Sequence, residues 1–167
     1  LRELWLSSTS ISDIGLVNLE KLSNLSVLKL TNNNISDTGL EYLQYLSNLT
    51  HLYLDDTGVT GKGLIHLSNL KNLKNLSLVF TNVDDAGLEH LVKLEKLSYL
   101  IVAKTKVTKS GAEKLHKKLP NCYVELYGHY KKRLFTNQPF KDIENYQPLY
   151  REPEYVIRPS AGKVGLK

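Results

Sequence analysis

Shifted by 24 residues, the chain falls onto itself. Residues 25–48, LSVLKLTNNNISDTGLEYLQYLSN, are one full unit, and copies flank it on both sides. Leu1, Leu25, Leu49, Leu73 and Leu97 form one column, and Leu4, Leu28, Leu52, Leu76 and Leu100 the next. Leu6, Leu30, Leu54 and Leu78 follow, with Val102 in fifth place. Then come Ile11, Ile35, Val59, Val83 and Val107, and after them Gly15, Gly39, Gly63, Gly87 and Gly111. A fixed period in this range is the mark of a solenoid.

Each unit has two halves. LxxLxL alternates apolar and polar residues, as a short half-buried strand does. From the glycine onward the leucines recur every three residues (Leu16, Leu19, Leu22), which makes one face of a short helix. Ser12, Ser36, Thr60 and Thr108, or the aspartate one place later in three units, are the expected caps. One unit cannot bury its leucines alone. Stacking buries them between neighbours, with a parallel sheet on the inner face and helices outside. Five units end at Pro120, and a sixth strand is expected from Tyr123 to Tyr127, with Val124 and Leu126 inward. Gly61 stands where other units have aspartate, so the third helix is expected to start loosely.

These residues resemble the leucine-rich repeat family, with LxxLxLxxT/N-x-[IV]-[ST]-D-x-GL-xx-L-xx-L. The SD-x-GL element is similar to the cysteine-containing class. Thr9, Thr57, Thr81 and Thr105 stand where that class has Cys or Asn, and only Asn33 keeps the asparagine. The spacing and the closing LPNCYVEL resemble bacterial, planctomycete-like arrays. The resemblance covers residues 1 to about 128. It implies a right-handed α/β horseshoe and leaves function open, because function lives in sites and not in the fold.

The expected organisation is an array over residues 1–128 and a Pro/Tyr-rich extended arm over 129–167, which holds four of the five prolines. The arm carries eight Lys/Arg against four Asp/Glu, and the rest of the chain fourteen against thirteen. A near-neutral array argues against nucleic acid as partner. No apolar run is long enough to span a membrane. The chain has no Met, so Leu1 is not an initiator, and upstream residues are expected to cover the first strand. The single cysteine, Cys122, is expected to be a packed core residue. Triplets such as Asn24-Leu-Ser arise automatically from the repeat.

Alternation puts three columns on the concave surface. They begin Glu3–Val27–His51, Trp5–Lys29–Tyr53 and Ser7–Thr31–Asp55. The candidate partner-binding residues are Trp5, Lys29, His51, Tyr53, Asp55, Tyr99, Ile101, Tyr123 and Tyr127, since aromatics dominate interface centres. The arm adds Phe135, Phe140, Tyr146, Tyr150 and Tyr155, recurrent aromatics that suit a groove on another protein. No base–nucleophile pair, triad or phosphate loop occurs, and no cofactor or metal is called for. His66 and His90, at equivalent places in adjacent units, are too few for a closed metal site. The expectation is a non-catalytic interaction or scaffold subunit docking onto a multi-subunit protein assembly. The alternative is a recognition module of a larger chain with an upstream catalytic, cytochrome or adaptor domain.

Overall fold

The computed structural model describes residues 1–126 and 156–157. Six three-residue strands lie side by side in chain order: β1 (Glu3–Trp5), β2 (Val27–Lys29), β3 (His51–Tyr53), β4 (Asn75–Ser77), β5 (Tyr99–Ile101) and β6 (Tyr123–Glu125). All five pairings are parallel, and residues at equivalent places in successive units stand opposite each other, as Leu4, Leu28 and Leu52 do. The repeat thus sets the register. A slip by one residue would turn every buried leucine outward. A seventh strand, β7 (Val156–Ile157), closes the far edge and runs antiparallel to β6. That stretch of the arm therefore belongs to the chain's own sheet.

The core is a ladder of leucines. Leu25, Leu28, Leu30, Leu49, Leu52 and Leu54 are fully buried, as are Leu40, Leu43, Leu64 and Leu67 behind them. Each contributes roughly 1.5–3 kcal/mol. The first unit is the exception: Leu1 is 68% exposed, and Leu4 and Leu6 are only partly buried. At the other end Cys122 and Val124 are fully buried and Leu126 is 5% exposed.

The outer connections are less regular than leucine spacing implies. True α-turns occur in α1 (Asp37–Leu43), α2 (Asp85–Leu88) and α3 (Lys109–Lys118). Asp13–Lys21, Lys62–Leu67 and Glu89–Lys93 are 3-10 helix. A 3-10 helix rises about 2.0 Å per residue against about 1.5 Å, so a short connection spans more length. The loose third helix is therefore not peculiar to Gly61, because the first unit, which has its aspartate, is 3-10 as well.

The caps also differ from expectation. Ser36 and Thr108 accept from Thr38 and Gly111 N–H, and Asp84 caps α2 through Gly87 N–H. Ser12 makes no side-chain cap. The aspartates one place later reach forward to the next unit. Asp13 accepts from the backbone N–H and hydroxyl of Ser36 (2.8 and 2.5 Å), Asp37 from those of Thr60, and Asp85 from those of Thr108. The glycine column makes room for them: a Cβ on Gly39, Gly63 or Gly111 would meet that carboxylate at 2.0–2.4 Å. The ladder breaks once, between units three and four. There Gly61 replaces the aspartate, Asp84 replaces the hydroxyl residue, and Gly87 packs against Gly61 backbone.

The threonine column is local. Thr9, Thr57, Thr81 and Thr105 each donate to the carbonyl three residues back, at 2.6–2.7 Å. Asn33 instead ties two units together, accepting from Thr9 and Ile11 N–H and donating to the Leu6 and Leu30 carbonyls.

Candidate concave binding surface

The strands carry two of the predicted columns; of the third, Ser7, Thr31, Asp55, Val79 and Ala103 lie just beyond the strands. At the N-terminal end of the sheet Trp5, Lys29 and Tyr53 occupy one register row of β1, β2 and β3. Lys29 Nζ lies 4.4 Å from the centre of the Trp5 ring and 5.4 Å from that of Tyr53. A cation over two aromatic faces is attracted by both quadrupoles. Burial lowers the Lys29 pKa and nearby Glu3 opposes the shift. Trp5 is 37% exposed, whereas Tyr53 is buried. Burial, with the Asp55 carboxylate behind it, pushes the Tyr53 phenol up to about 12.

His51 is half-buried, with Nδ1 2.8 Å from Thr50 Oγ1. Burial depresses its pKa most, then the positive Lys74, with Glu3 acting the other way. At the C-terminal end the Tyr99 and Tyr123 rings stack, centroids 4.9 Å apart and planes 12° apart. The Tyr99 hydroxyl donates to Glu125 at 2.6 Å. The stack holds both rings at one place on the sheet, and such pairs contribute about 0.5–1.5 kcal/mol beyond their buried area.

Besides the buried Tyr53, two predicted contact residues are placed differently. Asp55 is 5% exposed, and its carboxylate is engaged inside the sheet: Ser77 Oγ donates to it, Val79 N–H at 2.8 Å and Thr31 Oγ1 at 3.5 Å. Burial raises its pKa and these hydrogen bonds hold it down. Asp55 is thus a bridge between units two, three and four, not an open carboxylate. Ile101 is likewise 5% exposed, clustered with Val79, Ala103 and Tyr99. Tyr127, Phe135, Phe140, Tyr146, Tyr150 and Tyr155 lie outside the described residues.

Phe80 was not among the sequence candidates. In every unit the residue three places beyond the strand's last has a left-handed backbone: Ser8, Asn32, Asp56, Phe80 and Lys104, with φ of 51–59°. Asn and Asp tolerate that conformation, but a bulky aromatic is an outlier there. Phe80 is nevertheless 44% exposed. The sequence did hold a signal, a phenylalanine in a column otherwise polar.

Among the described residues no cluster of His, Cys, Asp and Glu is arranged to hold a metal ion. No helix there is long and apolar enough to cross a membrane. His66 lies 3.9 Å from Glu41. Burial pushes the Cys122 thiol up to about 12, so it is no nucleophile at neutral pH.

Residues 1–59 match the leucine rich repeat family model. Internalin C2 of Listeria monocytogenes shares 23% identity at a TM-score of 0.49, over 73% of this chain and 69% of that one. A leucine-rich repeat protein of Leptospira interrogans shares 18% at 0.48, over 75% of this chain and 37% of that one. No curated protein sequence matches significantly.

Proposed function

We propose that this leucine-rich repeat array is a non-catalytic interaction subunit whose protein partner docks on the concave face, within a larger assembly. Repeats of this family generally mediate protein–protein contact. The observation that carries the reading is the Trp5–Lys29–Tyr53 cluster, with the solvent-facing Trp5 held beside a lysine whose pKa burial has lowered. Aromatic side chains ordered before binding lose little entropy on contact. Tyr99 and Tyr123 supply a second anchor at the other end of the same sheet. His51 shares β3 with Tyr53, two residues before it. Phe80 adds an exposed aromatic just beyond β4.

The arm is assigned a supporting role, with Tyr127, Phe135, Phe140, Tyr146, Tyr150 and Tyr155 as its contact residues. Its share of the contact lies outside Val156 and Ile157, whose backbone completes the chain's own sheet.

The test is affinity for a partner purified with the full chain from its native source. Trp5→Ala, Lys29→Glu and Tyr99→Ala are expected to weaken binding about tenfold or more each, as central interface residues do. Ile65→Ala, on the helical side, should leave it unchanged. Undiminished binding by all three concave variants would overturn the reading.

A further inference from the structure

The two flanks of the solenoid differ in charge. In units three to five, the helix ends and connections that lead from the helical side into β4, β5 and β6 carry Lys71, Lys74, Lys93, Lys96, Lys117 and Lys118, all exposed, with Lys93, Lys117 and Lys118 on the last turns of their helices. Residues 68–74, 93–98 and 117–122 hold these six lysines and one acid, Glu95, hence +5. The connections on the opposite flank of the same units, residues 54–61, 78–84 and 102–108, hold three Asp and two Lys, hence −1. The near-neutral total of the array hides this separation.

The lysines form one surface. Lys71 Nζ donates to the Lys93 carbonyl at 3.2 Å, and Lys96 Nζ to Asn72 Oδ1 at 2.7 Å. These bonds hold two ammonium groups across neighbouring units without neutralising them. Lys118 is paired with Glu89 at 2.5 Å. Lys74 extends the surface to the concave side, where its charge reaches His51. A row of fixed positive charge focuses field and steers a negative partner.

We propose that this lysine flank is a second docking surface, and that its partner is an acidic, extended polypeptide segment. Three observations favour protein over nucleic acid. The three connections contain no aromatic side chain on which a base could stack, and the chain has no arginine between Arg2 and Arg133. Glu95 within the row would also repel a phosphate backbone, whereas a peptide can set a neutral residue there.

The experiment uses the full chain and a fluorescein-labelled 16-residue peptide of alternating Glu and Ser, with a labelled 16-mer of deoxythymidine beside it. Anisotropy titrations are run at low salt and at 0.5 M salt. The wild type is expected to bind the peptide at low salt and release it at high salt. Lys71→Glu/Lys74→Glu/Lys93→Glu/Lys96→Glu should weaken binding about tenfold or more, and Lys104→Glu/Lys106→Glu, on the opposite flank, less than about twofold. The same four positions changed to Gln remove charge but keep a donor, and serve if the reversal unfolds the array. Peptide affinity unchanged in both flank variants would place binding on the basic residues 131–133 and overturn the proposal. Equal losses for the two flanks, or tighter binding of the deoxythymidine oligomer, would also overturn it.

Discussion

Asp37 holds Thr60 of the next unit with both carboxylate oxygens: Oδ1 accepts from the backbone N–H at 2.7 Å and Oδ2 from the hydroxyl at 2.6 Å. Hydrogen bonds to charged groups contribute about 1.5–3 kcal/mol each, and this partly exposed pair sits at the low end. Asp37→Ala is expected to cost about 3 kcal/mol for the two bonds together, read from urea denaturation. Asp13→Ala should cost less, because the first unit is less buried.

The glycine column supplies a sharper test. A Cβ on Gly87 would lie 2.4 Å from Gly61 Cα, a backbone atom that cannot swing aside. A Cβ on Gly15 would meet only Ile11 side-chain atoms. Gly87→Ala is expected to destabilise by about 3 kcal/mol, at the upper end for overpacking, and Gly15→Ala by about 1 kcal/mol. Thermal denaturation of the two variants compares them directly. Equal losses would show that the inter-unit contact does not decide the column.

Phe80 predicts a stability–binding conflict. Its left-handed backbone disfavours an aromatic, so Phe80→Gly should stabilise the fold by about 1 kcal/mol. The same change should weaken partner binding if the exposed ring is a contact. A destabilised Phe80→Gly would mean that the ring's packing outweighs its backbone strain.

His51 gives the array a pH dependence. Its folded pKa lies below the ordinary value of about 6.5, so the unfolded chain binds the proton more readily. The associated stability is complete above that value and is lost as pH falls through and below it. Urea midpoints at pH 7.5 and 5.5 should fall further in the wild type than in His51→Gln.

Much of the array was legible because its period is its structure. Within the columns Leu4–Leu28–Leu52 and Glu3–Val27–His51, successive residues are paired across the strands as sequence equivalence demands. Val124, Leu126 and Cys122 are buried, as alternation and residue type imply. The candidate surface was legible only in part. Alternation shows which way a side chain points, so Trp5, Lys29 and Tyr53 were found on one face. It does not show which groups that side chain will meet, so the engagement of Asp55 by Ser77 and Val79 was not visible. Nor did capping preference show that Asp13, Asp37 and Asp85 reach into the next unit.

The sequence by itself determined the solenoid, its register and its core, because stacked identical units leave one way to bury the leucines. The tertiary structure alone decided the forward aspartate ladder, its break at Gly61 and Asp84, and the return of Val156–Ile157 to β6. Each depends on atoms more than twenty residues apart coming within hydrogen-bonding or van der Waals distance. No local preference encodes such a distance, because it exists only once the units have stacked.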